Sequence, residues 1–271
     1  MNTKTRKHSI CEKMPYVAVI LGMIIPSIIV AIGGSAGEGI SSYAGNIGIC
    51  IFAVMAMIVF KFWYAPKFKG FVRPEVSIKD ICIIMIPFVV LVVLTVLEPL
   101  FIQRPFYYNP SLGALFMGLA AGFGEETMFR ICSLAIVMRY VKKEKRFTAV
   151  IILTLIFGLS HLGNIMSGAD TTMTILQLIT STFHGFLFAT LYLKTGSAIF
   201  PIFAHGLYDF ISFTMEPTAT ENGIITHQYG TVQLIFEVSL AVIIGIASLY
   251  MLRKDKLAAA DEIWDKKWSV N

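Results

Sequence analysis

Three stretches of this sequence place ionisable side chains inside long apolar runs. The first is Gly124-Glu125-Glu126-Thr127-Met128-Phe129-Arg130, the second ends Phe157-Gly158-Leu159-Ser160-His161, and the third contains His205-Gly206-Leu207-Tyr208-Asp209. On a helix, Glu126 and Arg130 are four apart and share a face, so they can form an ion pair. Glu125 is turned about 100° away from Glu126 and is left without that partner. His205 and Asp209 also share a helix face. A carboxylate free of a structural partner can act as a general base and then as an acid. Imidazole N–H groups from His161 and His205 can stabilise an oxyanion. His161, His205 and Asp209 are also a candidate Zn²⁺ ligand set, since two histidines and a carboxylate are accepted zinc donors. The HExxH spacing is absent, so the choice between metal and metal-free chemistry stays open.

A covalent nucleophile finds no support. There is no Gly-x-Ser-x-Gly elbow and no Cys–His motif, and Ser160 points elsewhere on the helix than its neighbour His161. His184, in Phe183-His184-Gly185, has no carboxylate at helical spacing and reads as a packing or cavity-lining residue. His8 and His227 fall outside the apolar runs.

The elements that must carry these residues are membrane-spanning helices. Of the 271 residues, 56% are hydrophobic and 14% charged, against roughly 25% charged in a soluble domain. Continuous apolar runs of about 20 residues span a bilayer core as helices, and the absence of alternation excludes a barrel. The expected fold is all-α and polytopic, with eight spans near 15–34, 46–64, 81–102, 111–139, 147–162, 171–193, 197–214 and 230–252. Phe62, Trp63, Tyr64, Tyr107 and Tyr108 lie where aromatic belts form.

Placing the N-terminus in the cytoplasm puts 20 of the 22 Lys and Arg residues in cytoplasmic segments. Only Arg104 then lies outside, and Arg130 lies within a span. This asymmetry predicts both termini inside. The division that follows is a cytoplasmic tail over 1–14, a membrane domain over 15–253 and a cytoplasmic tail over 254–271. In the last of these, Leu257, Trp264 and Trp268 share a helical face that would lie on the inner membrane surface, or else belong to a disordered tail. The net charge of +5 fits an anionic membrane surface, and no nucleic-acid partner is expected. Cys11, Cys50, Cys82 and Cys132 form no metal or disulfide pattern and read as small apolar fillers.

Taken together, Glu125-Glu126-x-x-x-Arg130, Phe157-x-x-x-His161 and His205-x-x-x-Asp209 resemble the three motifs of the CAAX-protease and bacteriocin-processing family, also called the Abi family. Leu191-Tyr192-Leu193-Lys194-Thr195-Gly196-Ser197 resembles its turn between core helices. The resemblance covers about 110–214. It implies an eight-helix intramembrane endopeptidase of a bacterial plasma membrane, with a site opening toward the cytoplasm or inner leaflet and a membrane-associated peptide or protein as substrate. Glu125 and His161 would activate water, and His205 and Asp209 would hold the oxyanion, or the set would surround Zn²⁺. Relatives that cleave prenylated CAAX proteins often carry Asn where this chain has Asp209. A non-catalytic immunity or scaffold protein of the same fold is the first alternative. A proton-coupled transporter is the second, although no internal symmetry between halves supports it.

Overall fold

The computed structural model describes residues 10–216 and 228–269, with the side chains of Trp63, Lys254 and Asp255 left out. His8 and His227 lie outside the described residues. Every regular element among the described residues is helical. After a single turn, α1 (Ile10–Lys13), come α2 (Pro15–Glu38), α3 (Ser42–Val59) and α4 (Ile78–Phe101). The next segment begins as α5 (Leu112–Ala120), passes through two π-helical turns at Ala121–Glu125 and Thr127–Ile131, and ends as α6 (Cys132–Tyr140). Then follow α7 (Lys143–Ser160), a 3-10 segment (His161–Ser167), α8 (Thr171–Thr195), α9 (Ile199–Met215), α10 (Thr231–Leu252) and α11 (Lys254–Lys267).

Six of these stretches are long and apolar enough to cross a bilayer. With the shorter apolar α9 and the broken run from Leu112 to Tyr140, the described segments account for the eight expected. Their starts are written in the sequence. Ser41, Ser77, Ser111 and Asp170 each accept a hydrogen bond from a backbone N–H of the first turn, satisfying donors that a helix start leaves open. Gly196 ends α8 at φ 67, a left-handed conformation that suits glycine. Along α2, Ile20, Ile24, Ile28 and Ile32 recur every four residues and remain 44–55% exposed. Such a stripe faces lipid, where apolar side chains need no burial by protein.

Close approach of α5 and α9 sets the centre of the bundle. A Cβ at Gly118 would sit 2.5 Å from the Gly206 carbonyl oxygen, and one at Gly122 would sit 2.4 Å from that of Ile202. Two glycines one turn apart thus let the backbones touch, as small residues do between membrane helices. This contact fixes the height of His205 against Glu126.

The C-terminal helix corrects the expectation for the tail. The face bearing Leu257, Trp264 and Trp268 is buried in the protein itself. Trp264 Nε1 donates to the Leu193 carbonyl at 3.0 Å and Trp268 Nε1 to that of Ala135 at 3.1 Å. Phe68 stacks on Trp264, and Asp261 pairs with Arg146 and Lys143. An apolar face that could meet lipid is instead satisfied by protein because two indole N–H groups find backbone carbonyls there. Cys82 is a second correction, since it is exposed on α4 and fills no core.

Lys267 is buried and donates to the carbonyls of Gly70 at 3.0 Å and Arg73 at 2.5 Å. Burial pushes its ammonium down from the ordinary 10.5 to about 8. Between those values the folded protein binds fewer protons than the unfolded chain, so stability rises with pH through that window. Thermal unfolding in detergent at pH 8 and pH 10 should show a rise in the native protein that Lys267→Met lacks. An equal rise in both would mean that Lys267 is not the group responsible.

Candidate active site

Two π turns position the acidic pair. Ala121–Glu125 ends on Glu125, and Thr127–Ile131 contains Arg130. A π turn widens the helix by one residue per turn and often marks a functional position. Here the two turns flank Glu126.

Glu126 and Arg130 are both fully buried, and Arg130 Nη1 donates to Glu126 Oε1 at 2.5 Å. The same oxygen accepts from His205 Nδ1 at 2.8 Å. Glu126 is therefore more than the partner of Arg130, since it also orients an imidazole from α9. Spacing along one helix showed the first contact and could not show the second. Arg130 lies over the Phe157 ring with its guanidinium carbon 3.9 Å from the centroid, a cation–π contact that desolvation strengthens. The edge-to-face neighbours of that ring include both His161 and His205, at 5.1 and 6.0 Å between centroids. Phe157 thus packs against both imidazoles while carrying the guanidinium. Phe188 stacks on His205 from α8, at 4.5 Å and 16°. Neither ring was singled out from the sequence as a support for the imidazoles, because apolar residues in apolar runs give no signal of such a role.

Each histidine has one nitrogen committed. His161 Nδ1 lies 3.0 Å from the Phe157 carbonyl oxygen, which can only accept, so Nδ1 carries the proton. His205 Nδ1 likewise donates to Glu126. Both Nε2 atoms then point at Glu125. Glu125 Oε2 is 3.9 Å from His161 Nε2 and 3.8 Å from His205 Nε2, and it makes no hydrogen bond within the protein. His205 Nε2 is also 3.6 Å from Asp209 Oδ2. Separations beyond 3.5 Å are those a bridging water spans. Ser181 Oγ stands 3.5 Å from His161 Nε2 and completes this polar wall.

The structure brings Glu125, Glu126, Arg130, His161, His205 and Asp209 into one group drawn from the 112–140 segment, α7 with its 3-10 extension, and α9. The candidate zinc ligands His161, His205 and Asp209 fare differently. Among the described residues, no group of three His, Cys, Asp or Glu side chains is arranged to hold a metal ion. As placed, His161, His205 and Asp209 do not form such a group. His184 is apart from the group. It is buried, packs edge-on against Tyr208 at 4.7 Å, and lines a smaller neighbouring cavity of about 170 Å³.

A cavity of about 760 Å³ exposes Glu125, His161, His205 and Asp209 together. Its lining continues past Asn46 and Gln177 to Glu38, Ser42 and Asn164, residues at the helix ends remote from the basic loops. A second hollow of about 610 Å³, lined by residues such as Met57, Leu119 and Phe203, contains none of these four.

Compared with models of known protein families, residues 108–211 match the one described as type II CAAX prenyl endopeptidase Rce1-like. The matched stretch contains the entire polar group. No curated protein and no solved structure gives a match.

Removing either partner of a buried pair leaves a bare charge and costs about 3–5 kcal/mol. Arg130→Ala should therefore lower the yield of monodisperse protein in detergent. Glu126→Gln should lower it at least as much, because it weakens the contacts to Arg130 and His205 together. Near-native yield and melting temperature for Glu126→Gln would show that Oε1 is not the joint described.

Proposed function

With residues 108–211 belonging to the Rce1-like family, we propose that this chain is an intramembrane endopeptidase that hydrolyses membrane-associated peptides through a water activated by Glu125. The observation that carries the reading is Glu125 Oε2, without a hydrogen bond in the protein, facing two imidazole Nε2 atoms at 3.8 and 3.9 Å in a cavity large enough for a peptide segment.

Peptide hydrolysis needs a nucleophilic water, a stabilised oxyanion and a proton for the leaving amine. A water held between Glu125 and His161 gives its proton to the Glu125 carboxylate as its oxygen attacks the carbonyl carbon. The committed tautomer of His161 leaves Nε2 as an acceptor, so this imidazole orients the water. The tetrahedral oxygen needs donors, and His205 supplies one from Nε2 when it is doubly protonated. Glu126 holds the opposite nitrogen, and the side chains of Glu125 and Asp209 flank the ring. Collapse of the intermediate breaks the C–N bond. The proton on Glu125 then passes to the amine, returning the carboxylate.

Asp209 sits one turn beyond His205 on α9. Next to an oxyanion, an ionised Asp209 would repel charge, so its useful contribution is a hydrogen bond. Asn supplies one without ionising. The role assigned to Asp209 is thus to hold the His205 Nε2 side of the site.

Cleavage of a library of lipidated and transmembrane peptides in proteoliposomes, with new termini read by mass spectrometry, tests the reading. Glu125→Gln should lose about 10²–10⁴-fold in rate while keeping native yield. Asp209→Asn should retain much of the activity, and Asp209→Ala should lose about 10²-fold or more. Wild-type rates in Glu125→Gln would remove Glu125 from catalysis. An inactive Asp209→Asn whose bound zinc falls in step with activity would replace the scheme with a metallopeptidase.

A further inference from the structure

We infer that the catalytic cavity opens on the non-cytoplasmic face of the membrane, so that its substrate is a peptide segment lying outside the cytoplasm: a secreted precursor or the external juxtamembrane stretch of a membrane protein. This rests on the peptidase reading and supplies the side of access that it leaves open. It also departs from the cytoplasmic opening that the family resemblance implies.

Three independent observations meet here. The first is the identity of the two ends of the bundle. Backbone and ionic contacts tie the segments 61–79, 139–146 and 253–267 into one end. Lys69 N donates to the Lys267 carbonyl, Glu75 N to that of Thr195, and Arg146 pairs with Asp261. The turns at 38–42, 102–111 and 161–170 and the start of α10 belong to the other end. Asn109 N donates to the Thr214 carbonyl there, Arg104 pairs with Glu98, and Gln228 donates to Asp170.

The second is charge. The first end carries 15 of the 22 basic residues in those three segments, whereas 38–42, 102–111, 161–170 and 216–230 hold only Arg104. They also hold Glu38, Asp170, Glu216 and Glu221. Lys and Arg in short loops mark the cytoplasmic side, so the basic end lies inside.

The third is where the cavity leads. Its floor is Glu125 and His205, and its rim residues Glu38, Ser42 and Asn164 all belong to the end whose only basic residue in those segments is Arg104. At the basic end, the hollow of about 610 Å³ lined by Lys61, Gly70 and Val72 contains none of the four site residues. There α11 docks through Trp264 and Trp268 onto the backbones of Leu193 and Ala135, and Phe68, fully buried, fills the space against both indoles. A substrate reaching the basic end meets none of the four site residues, whereas one from the outside meets a rim continuous with them.

The test is thiol accessibility in intact cells, in full-length protein carrying Cys50→Ala and Cys82→Ser to remove the two cysteines that are not buried. Ser42→Cys and Asn164→Cys place a thiol on two separate elements of the rim, and Lys143→Cys places one at the basic end. A membrane-impermeant maleimide should label both rim positions from outside, and Lys143→Cys only after permeabilisation. If both rim thiols react only after permeabilisation, the inference is wrong. It is equally wrong if Lys143→Cys alone reacts from outside. Should one rim variant fail to reach the membrane, the other decides. The labelling needs no turnover, so an absence of peptide cleavage by the native protein would sink the peptidase reading while leaving the access result standing.

Discussion

One carboxylate oxygen holds the site together. Glu126 Oε1 receives hydrogen bonds from Arg130 and from His205 at a depth where each charge alone would be costly. The bilayer offers no water to compensate either partner, so the two helices bearing them must keep a fixed height. Gly118 and Gly122 permit that height by letting α9 lie directly on the 112–125 backbone. With Glu126 occupied twice, the adjacent carboxylate is released from structural duty. Glu125 can then face the cavity with one oxygen unpaired. The chemistry proposed for Glu125 therefore depends on the pairing of Glu126, and the two neighbours act as one device with a buried half and a cavity-lining half.

The aromatic residues around this device serve a related purpose. Phe157 gives its carbonyl to His161 and its ring face to Arg130, and Phe188 stacks on His205. Rings of this kind exclude water while restricting the imidazoles to narrow orientations. A general base works only if its partners hold their geometry before substrate arrives.

The helical class and the eight segments were legible because apolar runs of membrane length have few other uses. The Glu126–Arg130 contact was legible too, since four-residue spacing is a property of one helix. The Glu126–His205 contact was hidden, because it depends on how α9 is placed along another segment, and only packing at Gly118, Gly122 and Gly206 decides that. The π turns around Glu126 left no sequence signal distinguishing them from α-helix. The fate of Leu257, Trp264 and Trp268 was half legible. Their common face was plain, but an amphipathic helix looks the same whether it meets lipid or protein. The direction of the cavity was not legible at all, because its rim is assembled from turns far apart in the chain.

Hydrolysis in H₂¹⁸O tests the central claim most directly. The reconstituted protein would be given the membrane-anchored peptide it cleaves fastest, with enzyme in excess, and the products of a single turnover weighed. Attack by a Glu125-activated water predicts one ¹⁸O in the new C-terminal carboxylate already in that first turnover, with no peptide attached to the protein at any time. A first-turnover product that carries only ¹⁶O, or an acyl-protein adduct trapped on a side chain by acid quenching, would contradict the account.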